Sequence, residues 1–330
     1  MPIVSLERIE GLAFAALTKH GASEAQARAL ATGIAAAERD GLVSHGLMYL
    51  PTYCEHLTCG KVVGAAEPVL SQAAPGALVV DAGNGFAHAA IDLGFARLPD
   101  LARAQGVACL AVRNSYNCGA LGYHTERLAR SGVLALGFTN APASIAPWGG
   151  SKPALGTNPW SLAAPDGAGG ARFVIDQSAS VVAKSEVMKR ARAGDPIPAG
   201  WAFDASGAPT TDPAEALKGT MAPAGGYKGV GAALMVEMFA ACLAGANPGL
   251  VASPFSGPAG GPPGTGQFFL AFDPGPISGG GFAARLEIVA AAFTGAAHLP
   301  GARKFAAREK AAREGVEVDA ATLARAEALA

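Results

Sequence analysis

The chain contains 330 residues, of which 50% are apolar, and its formal net charge at pH 7 is −1. This size and apolar content allow a large buried core, and the near-zero charge does not favour nucleic acid or a membrane surface as a partner. The 5 cysteines are irregularly spaced, which is typical of free thiols in a reducing compartment. The N-terminus lacks a basic segment followed by an apolar run, and no apolar stretch reaches the roughly 18 residues of a membrane-spanning helix. We therefore expect a globular, cytoplasmic protein.

The first part of the chain is predicted to be helical. One helix is expected to begin after Ser5, and a second after Ser23, where Gln26 completes the spacing of a capping box. The loop Gly41–Gly46 then leads into a third helix near Leu50–Cys59. This arrangement predicts an N-terminal helical segment that presents a polar loop between two helices.

From residue 77 onward the pattern changes to alternating strands and helices. The predicted strands are Ala77–Asp81, Val107–Val112, Val133–Thr139, Trp160–Ala164, Phe173–Asp176 and Gln267–Phe272. The predicted helices are Ile91–Gln105, Tyr123–Ser131, a buried core helix Val230–Ala244, and a charged tail that begins at Ala302, closes near Val316 and resumes at Asp319. Glycine-rich and proline-rich loops, such as Pro248–Gly266, interrupt the pattern and favour a mixed sheet.

The expected fold class is α/β, with a mixed sheet flanked by helices and with helical N- and C-terminal segments. We expect residues 73–229 to form the cofactor-binding domain. Residues 1–72 are expected to pack with residues 230–330, which contain the core helix, the irregular loop and the C-terminal helices.

The segment Gly83–Ala89 follows a strand and precedes a helix, as a Rossmann nucleotide-binding fingerprint does. His88 stands where that fingerprint has a glycine or alanine, and no strand ending in an acidic residue follows about 20 positions later. We therefore interpret this segment as a structural turn. No phosphate-binding P-loop pattern occurs in the chain.

Metal and nucleophile motifs receive no support from the sequence. The 6 histidines are scattered, and no His-Glu-x-x-His or paired Cys-x-x-Cys pattern occurs. Cys54, His56 and Cys59 lie close together on a predicted helix, but His56 faces a different side from the two cysteines. No nucleophile elbow of the Gly-x-Ser-x-Gly type is present. We expect no metal site.

The segment Ser44-His45-Gly46 is a candidate for acid–base chemistry. A histidine in a loop between helix ends has a pKa near neutrality and can be oriented by its neighbours, which suits a proton donor. Taken alone, this segment is better interpreted as a surface loop that happens to contain a histidine. Three further polar, glycine-bearing loops could approach a cofactor closely or could be simple turns: Asn114–Gly122, Leu155–Pro159 and Gly225–Gly229.

Together these segments resemble the malate/L-lactate dehydrogenase family, whose fold differs from that of the Rossmann enzymes. The family also includes sulfolactate and ureidoglycolate dehydrogenases and the ketimine reductases. The resemblance covers nearly the whole chain, through Ser44–Gly46, Leu155–Pro159, Asp176–Ser180, Tyr227–Gly229 and Leu299–Lys304. It implies a non-Rossmann NAD(P)-binding fold, a homodimer, and a cofactor that lies in a cleft between lobes.

The resemblance also implies roles for individual residues. His45 corresponds to the proton donor of the family, and Ser44 and Glu186 correspond to the residues that assist it. The residues expected near the substrate are Thr157, Lys184 and Ser185. Those expected to contact the cofactor are Asn117, Cys118, Gly119, Ala120, Leu121, Asp176, Gln177, Ser178, Tyr227 and Lys228.

The C-terminal segment carries a basic cluster formed by Arg303, Lys304 and Arg308. The resemblance implies that these side chains bind the cofactor phosphates. The chemistry agrees independently, because guanidinium and ammonium groups neutralise phosphate charge. The cluster favours NADPH over NADH. The alternative is that these charges form the solvated face of a C-terminal helix.

Tyr49 stands where many members of the family carry an arginine that would pair with the substrate carboxylate, and Lys184-Ser185 stands where Arg-Gly is frequent. The carboxylate then needs another partner, such as Lys184, Thr157, a backbone amide or the Tyr49 hydroxyl. A dicarboxylate would need at least two cations. The sequence therefore favours a compact monocarboxylate over malate.

The predicted activity is reduction of a cyclic 2-imino acid by a nicotinamide cofactor: Δ1-pyrroline-2-carboxylate to L-proline, or Δ1-piperideine-2-carboxylate to L-pipecolate. One alternative is a 2-hydroxy acid dehydrogenase of the malate, lactate, sulfolactate or ureidoglycolate type. Another is a catalytically inactive binding protein with the same fold. Retention of Ser44, His45 and Glu186 favours an enzyme.

Overall fold

The structure, a computed structural model, describes residues 1–330. The strands are β1 Ile3–Val4, β2 Val69–Ala74, β3 Ala77–Asp81, β4 Val107–Ser115, β5 Leu134–Thr139, β6 Trp160–Pro165, β7 Ala171–Gln177, β8 Ala202–Phe203, β9 Pro209–Thr210, β10 Thr220–Met221, β11 Thr265–Phe272 and β12 Val316–Glu317. The α-helices are α1 Leu6–Lys19, α2 Glu24–Arg39, α3 Leu50–Thr58, α4 Ala87–Phe95, α5 Leu98–Gln105, α6 Leu121–Arg130, α7 Lys184–Ala193, α8 Pro213–Lys218, α9 Tyr227–Glu237, α10 Pro274–Ile277, α11 Phe282–Ala290, α12 Ala302–Glu314 and α13 Ala320–Leu329.

A mixed sheet of 7 strands forms the centre of the protein, in the order β2-β3-β4-β11-β5-β6-β7. Only β3 and β4 are parallel, and every other neighbouring pair is antiparallel. The α/β fold with a mixed sheet is therefore confirmed. The strand β11 lies between β4 and β5, so that Phe269 is opposite Leu110 on one side and Gly137 on the other.

Helices cover both faces of this sheet. On one face, α4 and α5 pack their apolar side chains against Leu78, Val80 and Leu110. On the other face, α9 and the π-helical turn Met238–Leu243 that follows it pack against Phe138 and Phe268. None of the helices combines the length and the apolar character needed to cross a bilayer.

The predicted core helix Val230–Ala244 is buried on one side only. Val236, Ala240 and Ala241 are fully buried, whereas other apolar side chains of the same segment are exposed. The exposed ones are Leu234, Met235, Met238 and Leu243. The segment is therefore a core helix where the sheet covers it, whereas nothing within the chain covers its other side.

The two ends of the chain meet in one helical unit. β1 pairs with β12 in an antiparallel ladder, and α1 contacts α13. Val4, Leu17 and Tyr53 share an apolar cluster with Val316 and Ala326. The N-terminal segment was expected to pack against the C-terminal helices, and this contact is of that kind. The strand β11, however, lies after residue 230 and still belongs to the central sheet, which was expected to consist of residues 73–229 only. The domain boundaries remain a prediction.

The single helix predicted over Ile91–Gln105 is two helices, α4 and α5. Pro99 occupies the first turn of α5 and supplies no backbone N–H, which makes a helix start there favourable. The turn at Gly83 is held by the carboxylate of Asp81, which accepts the Gly83 N–H at 3.0 Å. This internal bond agrees with a structural role for that turn.

Candidate active site

The loop that carries His45 connects α2 to α3 through two short 3₁₀ turns, Val43–His45 and Leu47–Tyr49. The hydroxyl of Ser44 lies 3.0 Å from Nδ1 of His45, and Nε2 makes no hydrogen bond within the chain. The ring is half-buried, and burial lowers its pKa below the ordinary 6.5. The hydroxyl therefore orients the ring, and Nε2 has no partner within the chain.

Two tyrosines, Tyr49 at the end of the second 3₁₀ turn and Tyr53 on α3, connect this loop to its surroundings. The Tyr49 hydroxyl donates to the carbonyl of Phe255 at 2.9 Å, and burial raises the pKa of Tyr49 to about 12. The Tyr53 hydroxyl donates to Oδ1 of Asn117 at 3.0 Å. Because the single hydroxyl proton of Tyr49 is committed to Phe255, this geometry does not support donation from Tyr49 to a substrate carboxylate.

The predicted cofactor segment Asn117–Leu121 forms a tight turn before α6. Oδ1 of Asn117 also accepts the N–H of Gly119 at 3.2 Å, and Gly119 has a positive φ of 65°, which favours glycine. Cys118 is buried, and burial raises the pKa of its thiol to about 12. This thiol therefore stays protonated at neutral pH.

The first turn of α6, which directly follows this segment, contacts the end of β7. The backbone N–H of Gly122 donates to Oδ2 of Asp176 at 2.8 Å. Burial raises the pKa of Asp176, partly opposed by this hydrogen bond and by the charge of Lys304. Two separate segments that were expected to contact the cofactor therefore meet in the structure.

A cavity of about 380 Å³ lies between the end of β7 and the start of α9. Gln177, Ser178 and Lys228 line it, together with Trp160 and smaller apolar residues. The loop that contains Thr157 borders the same region, because the carbonyl of Thr157 accepts the N–H of Ala179 at 2.8 Å. A second cavity, of about 420 Å³, lies beside His20 and contains none of the predicted site residues.

The helix α7 begins with Lys184, Ser185 and Glu186. Oε1 of Glu186 lies 3.5 Å from Nε of Arg190, and Oε2 lies 3.9 Å from Nζ of Lys189. No hydrogen bond joins Glu186 to Ser44 or His45, so support of His45 by Glu186 remains a prediction. Burial lowers the pKa of Lys184.

The basic cluster of the C-terminal segment divides into two parts. Arg308 binds the carboxylates of Asp40 and Glu126 through four hydrogen bonds of 2.6 to 3.1 Å, and Nζ of Lys304 lies 2.7 Å from Glu126. Arg303 is exposed and forms no ion pair. The charges of Lys304 and Arg308 are already paired within the protein, so only Arg303 keeps an unpaired charge, and phosphate binding there remains a prediction.

The family model for malate/L-lactate dehydrogenase matches residues 4–326. The chain belongs to the malate/L-lactate dehydrogenase family. The (2R)-3-sulfolactate dehydrogenase (NADP(+)) of Chromohalobacter salexigens is 44% identical to it over 313 residues, which are 93% of this chain and 92% of that protein. The Δ1-pyrroline-2-carboxylate/Δ1-piperideine-2-carboxylate reductase of Pseudomonas aeruginosa is 39% identical over 319 residues, which are 96% of this chain and 95% of that protein.

Solved structures of the family confirm the fold. The crystal structure of Δ1-piperideine-2-carboxylate reductase from Pseudomonas syringae superposes with a TM-score of 0.94 at 35% identity and covers 100% of both chains. The sulfolactate dehydrogenase from Methanocaldococcus jannaschii superposes with a TM-score of 0.88 at 27% identity, covering 99% of this chain and 96% of that chain. The non-Rossmann fold inferred from the sequence is therefore that of this family.

Tyr53 and Glu38 lie beside the candidate site of this malate/L-lactate dehydrogenase family member but were not among the predicted residues. Tyr53, which donates a hydrogen bond to Asn117, lies one helical turn after Tyr49. This spacing places both side chains on the same side of the helix and could have indicated that Tyr53 also faces the site. Glu38 is a buried carboxylate beneath the His45 loop. It continues the buried side of α2 formed by Ala27, Ala31 and Ile34. A charged residue at such a core-facing position could have indicated a special role for Glu38.

Proposed function

We propose that this protein is an NAD(P)H-dependent reductase of small cyclic 2-imino acids, converting Δ1-pyrroline-2-carboxylate to L-proline and Δ1-piperideine-2-carboxylate to L-pipecolate. The observation that carries the proposal is the Ser44–His45 pair, in which one ring nitrogen is held and the other is free. The names of relatives such as the P. aeruginosa reductase support the substrate class.

The residues around the 380 Å³ cavity fit a nicotinamide nucleotide. Lys228 and the N-terminal end of α9 supply positive charge for a phosphate, while Gln177 and Ser178 supply polar groups. The bound cofactor would supply the hydride that is added at C2 of the substrate. NADPH is proposed over NADH because Arg303 adds an exposed cation and because the C. salexigens relative is named for NADP(+).

His45 supplies the proton that the reaction requires. Reduction of a C=N bond at C2 needs a protonated nitrogen, and a histidine near neutral pH delivers a proton through the nitrogen that faces the substrate. Ser44 holds Nδ1, so Nε2 is that nitrogen. Thr157 and Lys184 are the proposed partners of the substrate carboxylate, since the Tyr49 hydroxyl already donates to Phe255.

A second candidate is a 2-hydroxy acid dehydrogenase acting on sulfolactate. It is favoured by the 44% identity to the C. salexigens enzyme. In that reaction His45 would accept the proton of the 2-hydroxyl group instead of donating one to an imine. Sulfolactate carries two anionic groups, so this candidate requires two cationic side chains at the substrate, whereas a cyclic imino acid requires one.

The absorbance of NADPH distinguishes the candidates directly. Purified protein is mixed with NADPH and, separately, with pyrroline-2-carboxylate, piperideine-2-carboxylate, pyruvate, oxaloacetate or sulfopyruvate. We expect NADPH to be oxidised rapidly in the presence of either cyclic imine. Turnover with sulfopyruvate alone would select the sulfolactate reaction, and the absence of turnover with every compound would favour a binding protein.

We further propose that the protein is a cytoplasmic homodimer acting in proline metabolism. The exposed apolar side chains of α9 and the turn after it, together with Leu250 and Val251, form a surface of the kind that monomers rarely expose. The irregular spacing of the 5 cysteines, typical of free thiols in a reducing compartment, supports the cytoplasmic part of the proposal. Light scattering measures the oligomeric state, and replacing Met235 with glutamate should shift it toward the monomer.

A further inference from the structure

Glu38 lies in the last turn of α2, directly beneath the loop that carries His45. Its side chain is turned inward, and the residue is 3% exposed. Oε1 accepts the backbone N–H of Leu47 at 2.8 Å, two residues after His45. A side chain of α2 therefore fixes the backbone of the His45 loop.

Stability alone does not account for a carboxylate at this position. Glu38 forms no ion pair, burial raises its pKa above 4.5, and its charge lies at the C-terminal end of a helix, where a negative charge is unfavourable. The neighbouring cations bind Asp40 instead, since Arg39, Lys304 and Arg308 all contact that carboxylate. Residues retained against such costs are concentrated at functional sites.

Gly46 shows how closely the loop fits around Glu38. A methyl group added at Gly46 would overlap the carboxylate of Glu38. The close approach of the Glu38 side chain is thus one reason for glycine at this position. The loop is thus held against α2 on one side, while Ser44 holds the imidazole ring on the other.

We propose that Glu38 is a positioning residue for His45. By accepting the Leu47 N–H, its carboxylate fixes the turn from which His45 points, and so places Nε2 at a constant distance from the substrate. This positioning depends on the length of the side chain, which brings the acceptor oxygen to the Leu47 N–H, and not on the charge of the carboxylate. This inference rests on the proposed function of His45 as proton donor.

Two substitutions separate reach from charge. Glu38→Asp keeps the charge but shortens the side chain by one methylene, so that it no longer reaches Leu47. Glu38→Gln keeps an acceptor oxygen at the same reach and removes the charge. We expect Glu38→Asp to lower kcat about 10- to 100-fold, since a misplacement of about 1 Å costs up to about 100-fold. We expect Glu38→Gln to retain kcat within about fivefold.

Gln26 offers a matched control on the same helix. It is 1% exposed, and its side chain accepts the N–H of Phe86 at 2.9 Å and donates to the carbonyl of Ala66 at 2.8 Å. Gln26→Asn shortens a buried acceptor by the same methylene and should lower the melting temperature without changing kcat. The KM for NADPH should stay unchanged in all three variants, because none of these residues lines the proposed cofactor cavity.

The outcomes are distinct from those that test the proposed function. If the wild-type protein turns over an imine and His45→Ala abolishes turnover, but Glu38→Asp keeps the wild-type kcat, the positioning role is refuted. Equal losses in Glu38→Asp and Glu38→Gln would refute the dependence on reach. A loss of kcat in Gln26→Asn as large as in Glu38→Asp would indicate general loosening of α2 and would also overturn the proposal.

Discussion

Replacing Arg308 with methionine removes one guanidinium group and keeps most of the apolar side-chain stem. In the native protein this group binds the carboxylates of Asp40 and Glu126, whose side chains are 2% and 5% exposed. The substitution removes four hydrogen bonds to these carboxylates and leaves Lys304, Arg39 and the more exposed Arg130 to neutralise two buried negative charges. We therefore expect the variant to be much less stable at neutral pH than the wild type.

The magnitude follows from the pKa of Glu126. Burial alone would raise it, but the hydrogen bond from Arg308 and the charge of Lys304 outweigh burial and lower it from 4.5 to about 2. This lowering corresponds to roughly 3 kcal/mol of stabilisation of the charged form. Loss of one partner of a buried ion pair typically costs about 3 to 5 kcal/mol. For a chain of this size, that cost should lower the melting temperature by about 5 to 10 °C.

The pH dependence has a definite sign. The folded pKa of Glu126 is lower than the unfolded one, so its contribution is fully present above pH 4.5 and is lost as the pH falls toward 2. The stability difference between wild type and Arg308→Met should therefore shrink over that interval. Urea unfolding followed by circular dichroism at pH 7 and in the acid range measures it.

Arg172 provides the matched control, because it binds Glu287 through two hydrogen bonds of 2.7 and 3.1 Å with both side chains at least 35% exposed. Arg172→Met should change stability by at most about 1 kcal/mol. An Arg308→Met protein with the wild-type melting temperature and a raised KM for NADPH would refute this reasoning, and would return Arg308 to the cofactor phosphates.

Three further predictions concern the site itself. His45→Ala should lower kcat about 10²- to 10⁴-fold, whereas the control His298→Ala changes an exposed histidine and should leave kcat unchanged. In the wild type, kcat/KM for reduction should fall as the pH rises above the pKa of His45, which burial places below 6.5. An unchanged kcat would remove His45 from the mechanism. Arg303→Ala should raise the KM for NADPH and leave the melting temperature unaltered, and an unaffected KM would make Arg303 a solvated charge only. Tyr49→Phe should cost about 1 kcal/mol of stability through the lost bond to Phe255 and should not change the KM for the imino acid; a tenfold higher KM would show that the Tyr49 hydroxyl binds substrate after all.

Local features of the sequence were sufficient to predict most elements. Ser5 and Ser23 cap α1 and α2, where their side-chain oxygens accept the N–H groups of Arg8 at 3.2 Å and of Gln26 at 3.4 Å. Alternating burial in β3, with Leu78 and Val80 inside, agrees with the strand predicted there. These features depend on neighbours in sequence, so a single chain displays them.

The partners of charged side chains could not be predicted in this way. A helical pattern places Lys304 and Arg308 on one side of α12, but which carboxylates meet that side depends on the packing of α12 against α2 and α6. The contact between Gly122 and Asp176 likewise joins residues 54 positions apart. The family resemblance supplied the predicted site segments, whereas the contacts of Glu38 and Tyr53 are visible only in the three-dimensional arrangement.

The central position of β11 constrains how the chain can fold. Its partners β4 and β5 are complete long before β11 is synthesised, and the contact between Ser115 and Gln267 spans 152 positions of sequence. Contacts of such separation close large loops and slow folding. Until more than three quarters of the chain has been made, β4 and β5 expose facing edges to which another strand could pair. These edges stay unpaired in the growing chain until β11 is made, and we therefore expect folding during synthesis to depend on chaperones.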